Sequence, residues 1–161
     1  MFETVVIRHP KENLAKCSLT PLEGQNGYRF FIAEPSLRFD ATGYTLLAVD
    51  APALSEADSH RPLLCLDATW QRLPQVLTSV VGQPVARSMP AGIRTAYPRV
   101  NRDGNDPQGG LASIEALFVA HVCLGRQVGN LLAGYYWRDA FLAGLPPSFL
   151  ARAHALGLPR S

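Results

Sequence analysis

The chain has 161 residues and a mass of 17.5 kDa, long enough to bury a sizeable core and short enough for one domain or two intimately packed lobes. Hydrophobic residues make up 47% and charged residues 17%, no stretch is long and apolar enough to span a bilayer, and Met1-Phe2-Glu3-Thr4 lacks the basic and apolar regions of a signal peptide, so a cytoplasmic protein without membrane contact is expected. The net charge of +2 is unevenly spread: residues 1–80 carry seven basic against nine acidic side chains, and residues 81–161 carry eight arginines against four acidic ones.

Four short runs, Thr4–Ile7, Arg29–Ala33, Tyr44–Val49 and Leu63–Leu66, are nearly continuous in apolar character. That pattern predicts strands buried on both faces, paired in parallel and joined by crossover helices, hence an α/β layer. Between the first two, Glu12–Leu22 is mixed and only partly helical, punctuated by Pro21 and by Gly24-Gln25-Asn26-Gly27. The fourth run, Leu63-Leu64-Cys65-Leu66, stops abruptly at Asp67-Ala68-Thr69-Trp70, a carboxylate, a hydroxyl and an indole. Ligands of open α/β sheets sit just beyond the carboxyl ends of strands, which makes Asp67 and Trp70 candidate site residues. The alternative is purely structural: Asp67 or Thr69 caps the next helix and Trp70 belongs to the core. A helix is expected from Trp70 to Val81, with Pro74 tolerated near its start and Gly82 as its stop.

From Arg87 to Gly110 the composition changes to Pro, Gly, Arg, Asn and Asp, and residues 101–110 read as a long irregular loop. Arg87, Arg94, Arg99 and Arg102 fall in this stretch, and planar guanidinium forks suit phosphates, so RNA binding stands beside a solvated loop as its reading. Ile114–Leu124 is apolar almost all round and must be a buried helix, with Glu115 in the first turn where the helix dipole favours an anion. Val128–Leu142 and Pro147–Leu156 read as two further helices, giving a mainly α-helical C-terminal part. The expected organisation is an α/β lobe over 1–86 and, over 87–161, a substrate loop with a mainly helical lobe, packed as one compact unit.

Cys17, Cys65 and Cys123 are isolated, an odd number without a C-x-x-C pair, and read as reduced thiols. The histidines His9, His60, His121 and His154 have no metal-ligand spacing, and His121 reads as a hydrogen-bonded core histidine. No metal is expected.

Three motifs in order resemble the DTW-domain superfamily of RNA uridine aminocarboxypropyltransferases. His9-Pro10-Lys11-Glu12, followed after four residues by Cys17-Ser18, resembles its H-P-x-E-x4-N-T segment; Leu66-Asp67-Ala68-Thr69-Trp70 resembles its D-x-T-W signature; and Leu111-Ala112-Ser113-Ile114-Glu115-Ala116 resembles its L-S-T-x-E-A segment. Leu54-Ser55-Glu56-Ala57-Asp58 is similar to the serine-acid segment before the signature, and Tyr136-Trp137-Arg138-Asp139-Ala140-Phe141-Leu142 to the W-G-x-x-F-L segment of the rRNA-modifying branch. The first two motifs look like the tRNA branch.

The resemblance implies a SPOUT-like fold with a trefoil knot, and transfer of a 3-amino-3-carboxypropyl group from S-adenosylmethionine to a uridine-type base of tRNA. The same transfer to small-subunit rRNA, a SPOUT-like RNA methyltransferase and a non-catalytic RNA-binding ribosome-assembly factor are the alternatives. Asp67 would then accept the N3 proton or hold the base, and Trp70 would pack beside the sulfonium. Ser18 matches the family threonine near the cofactor, with a cap or turn hydroxyl as the alternative. Leu66, Thr69, Met89, Leu111 and Ser113 complete the expected cofactor contacts, together with Glu115, which equally needs no function in a first helical turn. Arg87, Arg94, Arg99 and Arg102 would hold RNA.

Overall fold

The computed structural model describes residues 3–15, 17–98 and 110–160. Its strands are β1 (Thr4–Arg8), β2 (Tyr28–Ile32), β3 (Phe39–Asp40), β4 (Thr45–Leu47), β5 (Leu63–Asp67), β6 (Val80–Val81) and β7 (Val85–Arg87). Its α-helices are α1 (Leu73–Leu77), α2 (Ser113–Leu124), α3 (Arg138–Ala143) and α4 (Pro147–Ala155). Five strands form a wholly parallel sheet in the order β2-β1-β5-β4-β7, and β3 pairs with β6 as a separate two-stranded ribbon.

The alternation of side chains along β1 and β5 explains why both runs are apolar throughout. Val6, Leu63 and Cys65 join the larger core beneath α2, whereas Val5, Ile7 and Leu64 face the opposite side and pack with Ala33, Ala41 and Val76 of α1. Both faces of the central strands are thus covered. α2 supplies the largest share of the larger core, including Ile114, Leu117, Phe118, Val119, Ala120 and Val122, and it ends at Gly125 in the left-handed conformation that glycine adopts without steric penalty. Phe141 of α3 meets Phe118 edge-on with ring centroids 6.0 Å apart, so the aromatic C-terminal segment anchors α3 to α2.

The α/β layer is present, but the SPOUT-like expectation is overturned. The two crossovers from β1 to β2 and from β4 to β5 carry only the 3-10 turns Thr20–Leu22 and Glu56–Asp58 among their described residues, not crossover helices. The C-terminal part is not the mainly helical, knotted element that the resemblance implied: between α2 and α3, residues 125–137 form turns and irregular backbone. The predicted helix Val128–Leu142 fails because Gly129 has φ +39°, outside right-handed helix, and the Val128 N–H is taken by the Leu156 carbonyl at 2.9 Å. Only its end survives, as α3. The expected helix from Trp70 to Val81 likewise shortens to α1, since residues 80–81 pair with Phe39–Asp40 as β6.

Candidate functional site

Arg8 and Asp67 end adjacent parallel strands and are register partners. The chain leaves β1 toward β2 on one side of the sheet and leaves β5 toward α1 and β7 on the other, so this pair marks the point where strand order reverses. Arg8, 2% exposed, donates from Nε to Asp67 Oδ2 at 3.0 Å and also pairs with Glu23. Burial opposes the guanidinium charge, but the hydrogen bonds to Glu23 and Asp67 outweigh it and raise the pKa above the ordinary arginine value.

Asp67 accepts two more hydrogen bonds, from Cys17 Sγ at 2.8 Å on Oδ2 and from Ser113 Oγ at 3.2 Å on Oδ1. It therefore ties β1, the β1–β2 crossover, β5 and the start of α2 together. Burial, then the neighbouring Asp67 anion, pushes the Cys17 thiol up, which keeps it a donor rather than a thiolate. Asp67 does not cap the following helix; Arg72, in a helical conformation, stands at the N-terminus of α1 without a side-chain cap.

The first and second motifs clasp one another. His9, 3% exposed, accepts the Lys11 N–H on Nδ1 at 3.0 Å, so the ring proton lies on Nε2 and is donated to Gln75 Oε1 of α1 at 2.8 Å. Glu12 Oε1 accepts the Thr69 backbone N–H at 3.0 Å. Burial first, and the Asp67 charge second, raise the Glu12 carboxyl above the ordinary glutamate value.

Beyond the carboxyl ends of β4, β5 and β7 opens a cavity of about 510 Å³, within the ~300–1,000 Å³ usual for small-molecule sites. Of the expected site residues, Leu66, Trp70, Met89, Leu111 and Ser113 line it together. Asp67, Thr69, Ser18 and Glu115 lie outside the lining. Thr69 is exposed, and its carbonyl accepts the N–H groups of Arg72 and Leu73 at 3.0 Å to begin the turn into α1. Ser18 Oγ accepts the Ile114 N–H at 3.2 Å, so it acts as a cap supplied to α2 from a distant crossover.

Glu115 is fully buried and saturated. Oε1 accepts from Thr95 Oγ1 at 2.6 Å and from the Ala112 N–H at 2.8 Å, while Oε2 accepts from the Ala96 N–H at 2.9 Å and Tyr135 OH at 3.0 Å. The carboxylate fixes residues 95–97 and Tyr135 against the first turn of α2, behind the cavity wall formed by Ile93, Leu111 and Ser113. Ser113 touches both parts of the site, since it lines the cavity and donates to Asp67.

Sequence reading missed Asp50, which lines the cavity at the end of the third apolar run, and Ser88 and Pro90 to Ile93, which with the expected Met89 form the wall after β7. Asp50 carried the same signal as Asp67, a carboxylate directly after an apolar run. The β7 wall carried none, because a three-residue strand leaves no periodicity to read. Of the arginines, Arg87 donates from Nε to Asp58 Oδ1 at 3.1 Å and is half-buried, while Arg94 is exposed and has no ion-pair partner among the described residues. Arg99 and Arg102 lie outside the described residues. A second cavity of about 340 Å³ is bordered by Tyr28 and His121; the His121 ring bonds the Gln127 carbonyl through Nδ1 at 3.1 Å, and burial lowers its pKa. Among the described residues no group of three or more His, Cys, Asp or Glu side chains could hold a metal ion, and no helix is long and apolar enough to cross a membrane.

No protein-family model matches the sequence, and no curated protein matches it. The fold is similar to the solved structure of the SAM-dependent rRNA:acp-transferase Tsr3 from Vulcanisaeta distributa, with a TM-score of 0.65 and 23% sequence identity over 98% of this chain and 86% of that one. At this identity the likeness establishes a shared fold.

Proposed function

We propose that the chain is an S-adenosylmethionine-dependent transferase that places a 3-amino-3-carboxypropyl group on a uridine-type base of RNA. The observation that carries the reading is the cavity beyond β4, β5 and β7, where Leu66, Trp70, Met89, Leu111 and Ser113 converge from three separate segments of the sequence. The similar fold of an rRNA:acp-transferase supports it and favours ribosomal RNA over tRNA as the substrate. The aromatic segment Tyr136–Leu142, which resembles the rRNA-modifying branch, points the same way.

In this reading bound S-adenosylmethionine supplies an electrophilic Cγ: uridine N3 forms the new N–C bond, the Cγ–sulfur bond breaks, and neutral methylthioadenosine leaves. The apolar walls at Leu66, Met89 and Leu111 cover the nucleoside, and the Trp70 indole packs beside the sulfonium and favours its charge. Ser18 and Glu115 act indirectly, by holding the start of α2 and residues 95–97 in place behind the ligand. Thr69 acts likewise through the turn that presents Trp70.

Asp67 lies behind the cavity lining, where Arg8, Cys17 and Ser113 fill three of the roughly four lone-pair positions of its carboxylate; the fourth, on Oδ1 beside the Ser113 hydroxyl that lines the cavity, is the position that would take up the N3 proton. Ordering two reactants in this way removes roughly 7–11 kcal/mol from a barrier in favourable cases. Arg94, with Arg99 and Arg102 and the part of Arg87 not engaged by Asp58, holds the RNA backbone.

The test is incubation of the purified protein with carboxypropyl-labelled S-adenosylmethionine and either ribosomal RNA or tRNA, followed by nucleoside mass spectrometry. Labelled uridine from ribosomal RNA with release of methylthioadenosine is expected. Adenosylhomocysteine as product would instead make the protein a methyltransferase, and RNA binding without turnover a non-catalytic factor.

A further inference from the structure

Asp50 is the one residue with a formally charged side chain among the described residues lining the main cavity. It is exposed, and no hydrogen-bond or ion-pair partner of its carboxylate is found among the described residues. Its backbone is also unusual: φ is +54°, and among the described residues it is the single non-glycine with positive φ. Aspartate visits this region more readily than most side chains, but the neighbours must still hold it there.

They do so through the β7 wall. Ala48 N–H donates to the Arg87 carbonyl at 2.9 Å and Leu54 N–H to the Ser88 carbonyl at 2.9 Å, while Ser88 donates from its amide to the Pro52 carbonyl at 2.9 Å and from Oγ to the Ala51 carbonyl at 2.7 Å. Four bonds thus pin the segment on both sides of Asp50. A carboxylate without a partner among the described residues is held at the wall of a cavity whose described lining has no other charged side chain and includes an indole.

We infer that Asp50 makes this cavity selective for a cationic nucleoside, so that it holds S-adenosylmethionine more tightly than methylthioadenosine; the inference rests on the reading of this cavity as the S-adenosylmethionine site. The sulfonium and ammonium of S-adenosylmethionine outweigh its one carboxylate, leaving a net positive charge, whereas methylthioadenosine has lost all three charged groups. The two share the adenine, the ribose and the sulfur with its methyl, so apolar contacts discriminate weakly between them. Asp50 attracts the co-substrate and has no charge to attract in the nucleoside product, which promotes its release after transfer.

Asp50→Asn removes the charge while keeping shape and tolerance of positive φ. Calorimetric titration of wild type and variant with S-adenosylmethionine and with methylthioadenosine, at low and high salt, is the test. The variant is expected to bind S-adenosylmethionine about fivefold more weakly at low salt, with the difference shrinking at high salt, and methylthioadenosine unchanged within about twofold. Equal losses for both ligands would make Asp50 a structural residue, and unchanged S-adenosylmethionine affinity would remove it from recognition; either overturns the inference while the proposed function stands. A wild-type protein that binds neither nucleoside overturns the reading of the cavity itself.

Discussion

Glu12 Oε1 holds the Thr69 backbone N–H at 3.0 Å, so a carboxylate on the segment leaving β1 fixes the turn that leaves β5 and presents Trp70 to the cavity. With the His9–Gln75 bond, this makes the H-P-x-E-like and D-x-T-W-like segments one structural unit. Glu12 is harder to ionise in the folded chain than in the unfolded one, because burial and the Asp67 charge both disfavour its anion.

The folded state therefore retains the Glu12 proton to higher pH. The associated stabilisation is fully present below the unfolded carboxyl pKa and is lost as pH rises through the raised folded value. Glu12→Gln keeps an acceptor for Thr69 and is expected to remove this part of the pH dependence, whereas Glu12→Ala should lose about 0.5–2 kcal/mol across the range. Urea midpoints from mildly acidic to neutral pH check both; a glutamine variant with the wild-type pH profile would show that Glu12 does not titrate in this way.

Asp67 joins Arg8, Cys17 and Ser113, and Arg8 is almost wholly buried. Asp67→Ala leaves that guanidinium with Glu23 as its remaining carboxylate partner and is expected to cost about 3–5 kcal/mol of stability. Asp67→Asn keeps the shape but removes the proton acceptor, so it should lower kcat much more than it raises KM. If a folded Asp67→Asn variant kept wild-type kcat, the carboxylate would be a strut and not the acceptor of the N3 proton.

Glu115 receives two donors on each carboxylate oxygen. Glu115→Gln replaces one of those oxygens by an NH2 that faces two donors, a conflict expected to cost about 2–4 kcal/mol. Thermal unfolding reads the loss directly, and cofactor affinity should fall with it as residues 95–97 loosen behind the cavity wall. A variant as stable as wild type would mean that water or a rearranged Tyr135 relieves the conflict.

The parts of this fold that the sequence announces are those whose two faces demand the same residue type. β1 and β5 are nearly continuous apolar runs, and α2 is recognisable because no face of Ser113–Leu124 needs to meet water. β3, β6 and β7 are two or three residues long and exist through partners distant in sequence, such as Phe39 with Val80, so no local pattern marks them. Residues 128–137 look helical by composition, yet a backbone bond from Val128 to Leu156 redirects the chain. Asp67 and Trp70 could be picked out as a strand end. That the Asp67 side chain turns to Arg8 while Trp70 turns to the cavity depends on the parallel register of β1 and β5, which a single sequence does not display.

Trp70 lines the cavity from the turn after β5. Trp70→Ala is expected to weaken S-adenosylmethionine binding by about 3- to 30-fold, the range of a cation–π contact beside a desolvated sulfonium. Trp70→Phe should recover part of that loss. Wild-type affinity in the alanine variant, measured by calorimetry, would place the sulfonium elsewhere in the cavity.

The arginines after β7 divide by their partners. Arg87 is bound to Asp58, which also receives Arg61, so much of its charge is committed within the protein. Arg94 is exposed and without an ion-pair partner among the described residues, and it belongs to the same Gly- and Pro-rich stretch as Arg99 and Arg102. If these three hold RNA phosphates, the combined substitution Arg94→Gln, Arg99→Gln and Arg102→Gln should weaken RNA binding and reduce the slope of log affinity against log salt by roughly two to three. S-adenosylmethionine affinity should stay unchanged if these side chains serve the RNA alone; Arg94, the one of the three among the described residues, does not line the cavity. Arg87→Gln, by contrast, should act chiefly on stability, since it leaves the buried Asp58 with Arg61 as its remaining cation. Filter binding of ribosomal RNA at several salt concentrations separates the two effects, and a triple variant with wild-type affinity and slope would move the RNA path off this stretch.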